Sequence, residues 1–150
     1  MRRRLVALAA TALAAGSLAR CNSSSTPPPP GEADSGYTFI VGRDGIPFQV
    51  DGAPDGGVVN QLTVPVGQPV HWRFATSGFN VVSGTVGDGG CVPDNRFCSG
   101  VDLDAGTVDC SQAPLQTAST RWTYTFTAAG TYTYFSSPQC PEAQGAVVVQ

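Results

Sequence analysis

The residues Arg121-Trp-Thr-Tyr-Thr-Phe-Thr-Ala-Ala-Gly-Thr-Tyr-Thr-Tyr-Phe-Ser136 form the most regular stretch of this chain. Large aromatic residues alternate with arginine and threonine before Ala128-Ala-Gly130, a period of two that is typical of a β-strand with one buried face. The Ala-Ala-Gly sequence then turns the chain. We therefore expect strands at Arg121–Thr127 and Thr131–Ser136 that form a hairpin-like unit.

The surrounding residues 36–150 continue this β-type pattern and show no sustained 3.6-residue periodicity. Val70, Trp72 and Phe74 alternate with polar residues in the same way. Six further strands are predicted between clusters of Gly, Pro, Asp and Asn, at Tyr37–Gly42, Pro47–Val50, Asn60–Val64, Pro69–Ala75, Phe79–Ser83 and Ala146–Gln150. Eight short strands in about 115 residues favour an all-β Greek-key sandwich or barrel.

Residues 85–120 interrupt the pattern with Gly, Asp, Pro and three cysteines, and we expect a long loop insertion that disulfides hold in place. Apart from Cys21, the cysteines of the chain are Cys91, Cys98, Cys110 and Cys140. An even number in an exported domain predicts two disulfides, and the spacing does not match a zinc site. Three pairings are possible, of which we favour Cys91–Cys98 with Cys110–Cys140.

The N-terminal residues 1–20 have the features of an export signal peptide. Arg2-Arg-Arg4 precedes the apolar segment Leu5–Ala15. That segment is too short for a permanent transmembrane helix, which needs about 20 apolar residues. We therefore expect export to the periplasm or the cell surface.

Residues 21–35 have the composition of a Ser/Pro-rich tether. The preceding Leu18-Ala-Arg-Cys21 resembles a bacterial lipobox, in which cleavage occurs before a cysteine that receives lipid, although Arg20 replaces the usual small residue. Ordinary cleavage after Ala19 is the alternative. We favour a lipid anchor on Cys21, since this lone cysteine heads a tether.

The charge distribution limits the partners of the domain. From Cys21 onward the chain has four arginines and eleven acidic residues, which gives a formal charge of −7. An acidic domain repels nucleic acid and anionic lipid. We therefore expect no nucleic-acid partner, and membrane contact only through a lipid on Cys21. The partner is an envelope protein or ligand that the sequence does not identify.

Three blocks of residues match the motifs of one family. Leu62-Thr-Val-Pro-Val-Gly-Gln-Pro-Val-His-Trp72 is similar to a "V-x-V-G-x-x-V-x-W" strand pair, and Gly78-Phe-Asn-Val-Val-Ser83 to a "P-H-N-V-V" strand. Tyr124–Gln139 and Gln144–Val149 are similar to a "Y-x-F-x-x-x-G-x-Y-x-Y-x-C-x-P-H" hairpin and an "M-x-G-x-V-x-V" strand. Together they resemble the cupredoxins, the blue-copper proteins such as plastocyanin, pseudoazurin and halocyanin. The resemblance implies a cupredoxin-like Greek-key β-sandwich over residues 36–150.

The family binds copper through two histidines, a cysteine and a weak axial methionine, and carries one electron. The equivalent positions in this chain are Phe79 and Gln139 for the histidines, Ser136 for the cysteine, and Gln144 for the methionine, or Ala143 if the alignment follows Gly145. The whole chain has one histidine, His71, and its only methionine is Met1. The resemblance therefore implies a degenerate member without an intact metal site and without a cofactor.

Other candidate residues have simpler interpretations. Strand alternation points His71 outward, as a solvated histidine. Ser136 has no base within its motif, so we expect no enzymatic activity. Phe79, Phe97 and Phe135 either form an exposed apolar patch at one end of the sandwich or fill the vacated metal site.

These observations predict an exported cupredoxin-like domain that has lost type 1 copper and acts as a non-redox binding or structural module of the cell envelope. The alternative is a blue-copper electron-transfer protein, as the family resemblance alone implies. That alternative requires ligands from a second chain or a different coordination set, because one histidine cannot supply a two-histidine plane.

Overall fold

A computed structural model of the chain describes residues 36–52, 60–104 and 108–150. The predicted signal peptide and tether, including Cys21, lie outside these ranges. Within the described ranges, no helix has both the length and the apolar character needed to cross a membrane.

The described residues form nine strands. They are β1 (Tyr37–Arg43), β2 (Ile46–Val50), β3 (Gln61–Val64), β4 (Pro69–Phe74), β5 (Val82–Gly87), β6 (Gly90–Cys98), β7 (Arg121–Thr125), β8 (Gly130–Phe135) and β9 (Gln144–Val149). One sheet has the order β2-β1-β4-β7, and the other has the order β3-β9-β8-β5-β6. Each sheet is mixed, because β1 pairs with β4, and β3 with β9, in parallel. The predicted all-β sandwich is confirmed.

Side-chain alternation builds the core between the two sheets. In β4, Val70, Trp72 and Phe74 are fully buried, while His71 and Arg73 on the opposite face are only partly covered. Trp72 packs edge-on against Tyr134 of β8, with ring centroids 5.5 Å apart. Such aromatic pairs contribute about 0.5–1.5 kcal/mol beyond the burial of their area. The core is therefore aromatic, as the period-two pattern predicts.

The predicted hairpin-like unit after Arg121 is wrong. Strand β7 pairs with β4 in the first sheet, and β8 pairs with β9 in the second. Phe126 lies between them and packs on Tyr132 across the core, with ring centroids 4.6 Å apart. Both strands bury aromatic residues on one face, and the two faces meet each other only when the strands lie in opposite sheets.

The prediction of a long loop over residues 85–120 is wrong for its first part, because β5 and β6 form a hairpin there. The predicted strand at Phe79–Ser83 also begins later, at Val82. The sequence pattern did not predict β6 because Pro93-Asp-Asn95 consists of residues typical of turns. These residues form a bulge: β6 advances five residues between two pairs where β5 advances two. The Ser83 hydroxyl fills the bulge and accepts the amides of Arg96 and Phe97 at 3.0 Å.

The favoured disulfide pairing is also wrong. The structure pairs Cys91 with Cys140 and Cys98 with Cys110. Cys91 and Cys98 lie near opposite ends of β6. A strand rises about 3.3 Å per residue, and seven residues separate the two cysteines along β6. Their Cα atoms are therefore much farther apart than the roughly 4.4–6.8 Å that a disulfide spans. Hence the hairpin, which the sequence did not predict, decides the pairing.

The core contains two polar atoms without a hydrogen-bond partner among the described residues, Trp72 Nε1 and the Tyr134 hydroxyl. Burial raises the pKa of Tyr134 far above its ordinary value of 10.0, and the Trp72 indole acts in the opposite direction, although the pair falls outside hydrogen-bond geometry. A buried polar group without a partner costs about 1–3 kcal/mol. The hydroxyl of Tyr134 therefore contributes nothing favourable to stability.

We expect Tyr134→Phe to be neutral or to raise the free energy of unfolding at pH 7 by about 1 kcal/mol. Since burial raises the pKa of Tyr134 in the folded state, the wild type keeps its stability below pH 10 and loses it as the pH rises further, because only the unfolded tyrosine then ionises. The variant should therefore lose less stability above pH 10, by about 1.4 kcal/mol per pH unit. Denaturant titrations at several pH values measure both effects. A loss above 1 kcal/mol at pH 7 would reveal a hydrogen bond to this hydroxyl.

Candidate functional site

Three loop segments meet at the end of the sandwich where the family resemblance places its copper ligands. The segments are 78–80 before β5, 113–116 before β7, and 136–143 between β8 and β9. Phe79 and Gln116 form an isolated β-bridge, in which the backbone N–H of Gln116 donates to the backbone carbonyl of Phe79 at 2.7 Å. The bridge brings the first segment beside the second.

Ser136 lies at the centre of this end and is fully buried. Its hydroxyl donates to Gln139 Oε1 at 2.6 Å and accepts the backbone N–H of Asn80 at 3.2 Å. A 3-10 turn over Ser137–Gln139 places the glutamine three residues after the serine on the same side. The position equivalent to the family's cysteine thus holds a hydroxyl whose hydrogen-bonding capacity is used inside the protein.

Asn80 connects the three segments, and it is almost fully buried. Its Oδ1 accepts the amide of Ser137 at 2.8 Å, and its Nδ2 donates to the Ala113 carbonyl at 3.0 Å. Sequence reasoning did not select Asn80, although the residue occupies the N of the "P-H-N-V-V" motif. That asparagine, next to a ligand position and preceding a strand, is the signal that identifies it.

Gln139 completes the arrangement. Its Nε2 donates to the carbonyl of Gly78 at 3.1 Å, while its Oε1 accepts from Ser136. Asn80, Ser136 and Gln139, which we call the polar cluster, therefore share hydrogen bonds with all three loop segments. Because each buried polar atom of the cluster has a partner, the arrangement avoids the cost of unsatisfied groups.

The structure distinguishes the two candidate positions for the axial ligand. Ala143 is fully buried. Its backbone carbonyl accepts the backbone N–H of Ser136 at 3.0 Å, and its backbone N–H donates to the backbone carbonyl of Gln139 at 2.8 Å. The side chain of Gln144 is exposed and lines a cleft with Thr85 and Thr133. Ala143 therefore adjoins the polar cluster, and the side chain of Gln144 does not reach it.

The three phenylalanines do not form one exposed patch. Phe97 is buried in the central core, and Phe135 is buried in a second cluster with Val82 and Ala113. Phe79 is half-buried and packs against the core. Its ring lies so close to Gly42 that a Cβ on that glycine would be 2.8 Å from Phe79 Cε2. The exposed-patch interpretation is therefore wrong, and the Phe79 ring instead occupies space beside the first sheet.

His71 does not belong to the polar cluster. It lies on β4, is half-buried, and its Nδ1 is 2.8 Å from Thr123 Oγ1 on the neighbouring β7. Its side chain is on the opposite face of the strand from the buried Trp72, as the alternation predicts. The only imidazole of the chain is therefore remote from Ser136, which faces the interior at the end of β8.

The donor atoms at this end do not fit a type 1 copper ion. The positions offer an alcohol, a carboxamide and an aromatic ring, whereas that ion requires a thiolate and two imidazoles. An alcohol remains protonated near neutral pH and is a poor ligand for a soft site. Within the part of the chain that the structure describes, no three His, Cys, Asp or Glu side chains come together as a metal-binding group.

Comparison with known proteins identifies similar structures. The chain aligns with a purple cupredoxin from Nitrosopumilus maritimus over 76% of this chain and 99% of that one, with 21% identity and a TM-score of 0.49. A methionine-to-alanine variant of amicyanin with Cu(I) aligns over 79% of this chain and 85% of that one, with 23% identity and a TM-score of 0.47. Both are cupredoxins. No protein-family model matches the chain, and no curated protein does.

Proposed function

We propose that this chain is an exported cupredoxin-like domain without type 1 copper, which acts as a non-redox binding or structural module of the cell envelope. The observation that carries this proposal is the polar cluster. Where the family resemblance places a copper–thiolate bond, the hydroxyl of Ser136 is buried and bonded to Gln139 and Asn80. These hydrogen bonds support the proposal, because they pair the buried polar atoms at these positions without a metal.

Binding of copper at this end is unfavourable for two physical reasons. A metal ion would have to break the 2.6 Å hydrogen bond between Ser136 and Gln139, leaving buried polar groups unpaired. The half-buried ring of Phe79 also replaces a ligand with an apolar surface. Copper coordination would not offset either cost, because the oxygen donors of the polar cluster suit hard cations rather than copper, and the cluster contains no carboxylate.

A hydrolytic function has equally little support. A serine nucleophile needs a base that accepts its proton. The hydroxyl of Ser136 donates instead to the carboxamide oxygen of Gln139, which does not act as a base near neutral pH. Ser136 is also closed to solvent, so a substrate cannot approach it. We therefore assign no catalytic role to this serine.

The proposed location follows from the cysteines and the N-terminus. Two disulfides indicate an oxidising compartment. An export signal over residues 1–20, a tether over 21–35 and a lipid on Cys21 would place the domain on the outer side of a membrane. The formal charge of −7 disfavours nucleic acid, so the partner in this proposal is an envelope protein or ligand.

Titration of the purified full-length protein with Cu(II) tests the proposal. We expect no intense visible charge-transfer band, because the thiolate that produces it is replaced by Ser136. Weak binding at His71, the single imidazole, should disappear in a His71→Gln variant. A stoichiometric blue complex in the monomer would overturn the proposal. Copper that remains with protein purified from its native envelope, measured by elemental analysis, would support the blue-copper alternative instead.

A further inference from the structure

The two disulfides differ in their access to solvent. Cys98 and Cys110 are fully buried, whereas Cys91 and Cys140 are both half-buried. Thiol–disulfide exchange requires an attacking thiolate to reach a sulfur atom, so exposure decides which bond reacts first. The Cys91–Cys140 bond is therefore the accessible one of the two.

The accessible disulfide holds a part of the fold that has few other backbone connections. Strand β5 pairs with β8 only at Val82 and Ser83, and from Gly84 onward its ladder runs with β6 alone. Gly84 has a φ of 154°, and a Cβ there would overlap the carbonyl of Val92. Strand β5 thus diverges from β8 after this glycine, whose carbonyl still accepts the Thr133 hydroxyl at 2.6 Å, and residues 85–92, which we call the hairpin tip, extend beyond it.

The other end of the same disulfide lies in the loop of the polar cluster. Cys140 directly follows Gln139, which bonds to Ser136 and to the Gly78 carbonyl. Two backbone hydrogen bonds at Ala143 close this loop. Between the hairpin tip and strands β8 and β9 lies a cleft of about 150 Å³ lined by Thr85, Thr133 and Gln144. That volume is below the roughly 300 Å³ of ordinary ligand pockets, so the cleft is better described as a gap beneath the hairpin tip.

We propose that Cys91–Cys140 is an exchangeable disulfide, through which an external dithiol releases the hairpin tip from the loop of the polar cluster while Cys98–Cys110 remains intact. A thiolate of the dithiol attacks one sulfur of the bond, forming a mixed disulfide and freeing the other cysteine as a thiolate. The second thiol of the dithiol then displaces the protein sulfur. Two electrons pass to the protein, the dithiol becomes a disulfide, and two cysteine thiols result.

This exchange does not depend on the loss of copper, so it goes beyond the proposed function. It gives the module a redox-controlled surface: the oxidised form holds the hairpin tip beside Thr133 of β8 and Gln144 of β9, and the reduced form uncovers these two residues. Gln139, next to the released Cys140, is the residue through which the change reaches the polar cluster. The copper titration and the exchange experiment therefore fail or succeed separately.

Time-resolved reduction of the oxidised full-length protein tests the inference. The protein is mixed with dithiothreitol, samples are blocked with N-ethylmaleimide at intervals, and peptide mass spectrometry locates the labels. We expect Cys91 and Cys140 to become labelled together, about tenfold or more faster than Cys98 and Cys110. Equal rates for all four cysteines, or earlier labelling of the buried pair, would refute the proposal.

Amide hydrogen exchange measured directly after this reduction tests the structural consequence. Residues 84–92 and 136–143 should exchange about tenfold or more faster, and β1 and β4 should not change. A Cys91→Ser, Cys140→Ser double variant should show the same pattern without reductant. Faster exchange across every strand would mean general unfolding and would contradict the inference, whether or not the double variant folds.

Discussion

Restoring three ligands, by Phe79→His, Ser136→Cys and Gln139→His, should turn this domain into a blue copper protein that binds about one copper ion per chain. Ser136 and Gln139 already contact each other, and Phe79 directly precedes Asn80, whose backbone amide donates to Ser136. Replacing Ser136 and Gln139 together also removes both partners of one hydrogen bond, which costs less than leaving one of them unpaired. Visible absorption after addition of Cu(II) measures the result.

The axial position provides a matched pair of variants. Adding Ala143→Met to the three substitutions should shift the spectrum, because Ala143 is buried beside Ser136. Adding Gln144→Met should leave the spectrum of the triple variant unchanged, since that side chain is exposed. A variant that lacks only Ser136→Cys should have no intense band. If all the variants remain colourless, the assignment of at least one ligand position is wrong.

The sequence predicted those features of the fold that depend on local patterns. Alternation in Val70-His-Trp-Arg-Phe74 identified β4 and the face that it buries, and the same reasoning correctly directed His71 outward. The choice of partner strand is not local, and there the prediction failed. Strands β7 and β8 are adjacent in sequence, yet they belong to different sheets, because both bury aromatic residues against one core.

Strand β6 and the disulfides show a second limit of prediction from the sequence. Gly90–Cys98 lacks an alternation of apolar and polar residues. Its pairing also depends on Ser83 of the neighbouring β5, whose hydroxyl accepts two backbone amides of the bulge in β6. Once this hairpin was missed, the pairing of Cys91 was predicted wrongly as well. Sequence separation does not define distance in space, so cysteine counts predicted the number of disulfides and not their connectivity.

Of the residues in the polar cluster, two were selected from the sequence and one was not. The motif alignment selected Ser136 and Gln139, which the structure brings within 2.6 Å of each other. Asn80 was missed because its role arises from three contacts that only the folded loops create. The choice between Ala143 and Gln144 depended on the alignment of one short loop, and aligning Gly145 with the glycine of the "M-x-G-x-V-x-V" motif favours Ala143. This glycine also has a packing requirement of its own.

Gly145→Ala should lower the free energy of unfolding by about 3 kcal/mol, at the upper end of the range for overpacked cores. A Cβ at this position would lie 2.5 Å from both Cζ and the hydroxyl of Tyr134, its partner across β8 and β9. The tyrosine ring has little freedom to move, because it packs edge-on against Phe48, at 4.9 Å between ring centroids, and against Trp72. Denaturant titration monitored by tryptophan fluorescence measures the loss.

Two comparisons separate this overlap from the general effect of replacing glycine. Gly87→Ala, also in a strand of the second sheet but with no atom within 4 Å of the new Cβ, should change stability by less than about 0.5 kcal/mol. In a Tyr134→Phe background, Gly145→Ala should cost less than in the wild type, because the hydroxyl oxygen, one of the three overlapping atoms of Tyr134, is gone. Equal costs in the two backgrounds would show that the tyrosine hydroxyl does not restrict residue 145. A small cost in both would mean that the strands separate easily at this point, and the glycine of the "M-x-G-x-V-x-V" motif would then need another physical explanation.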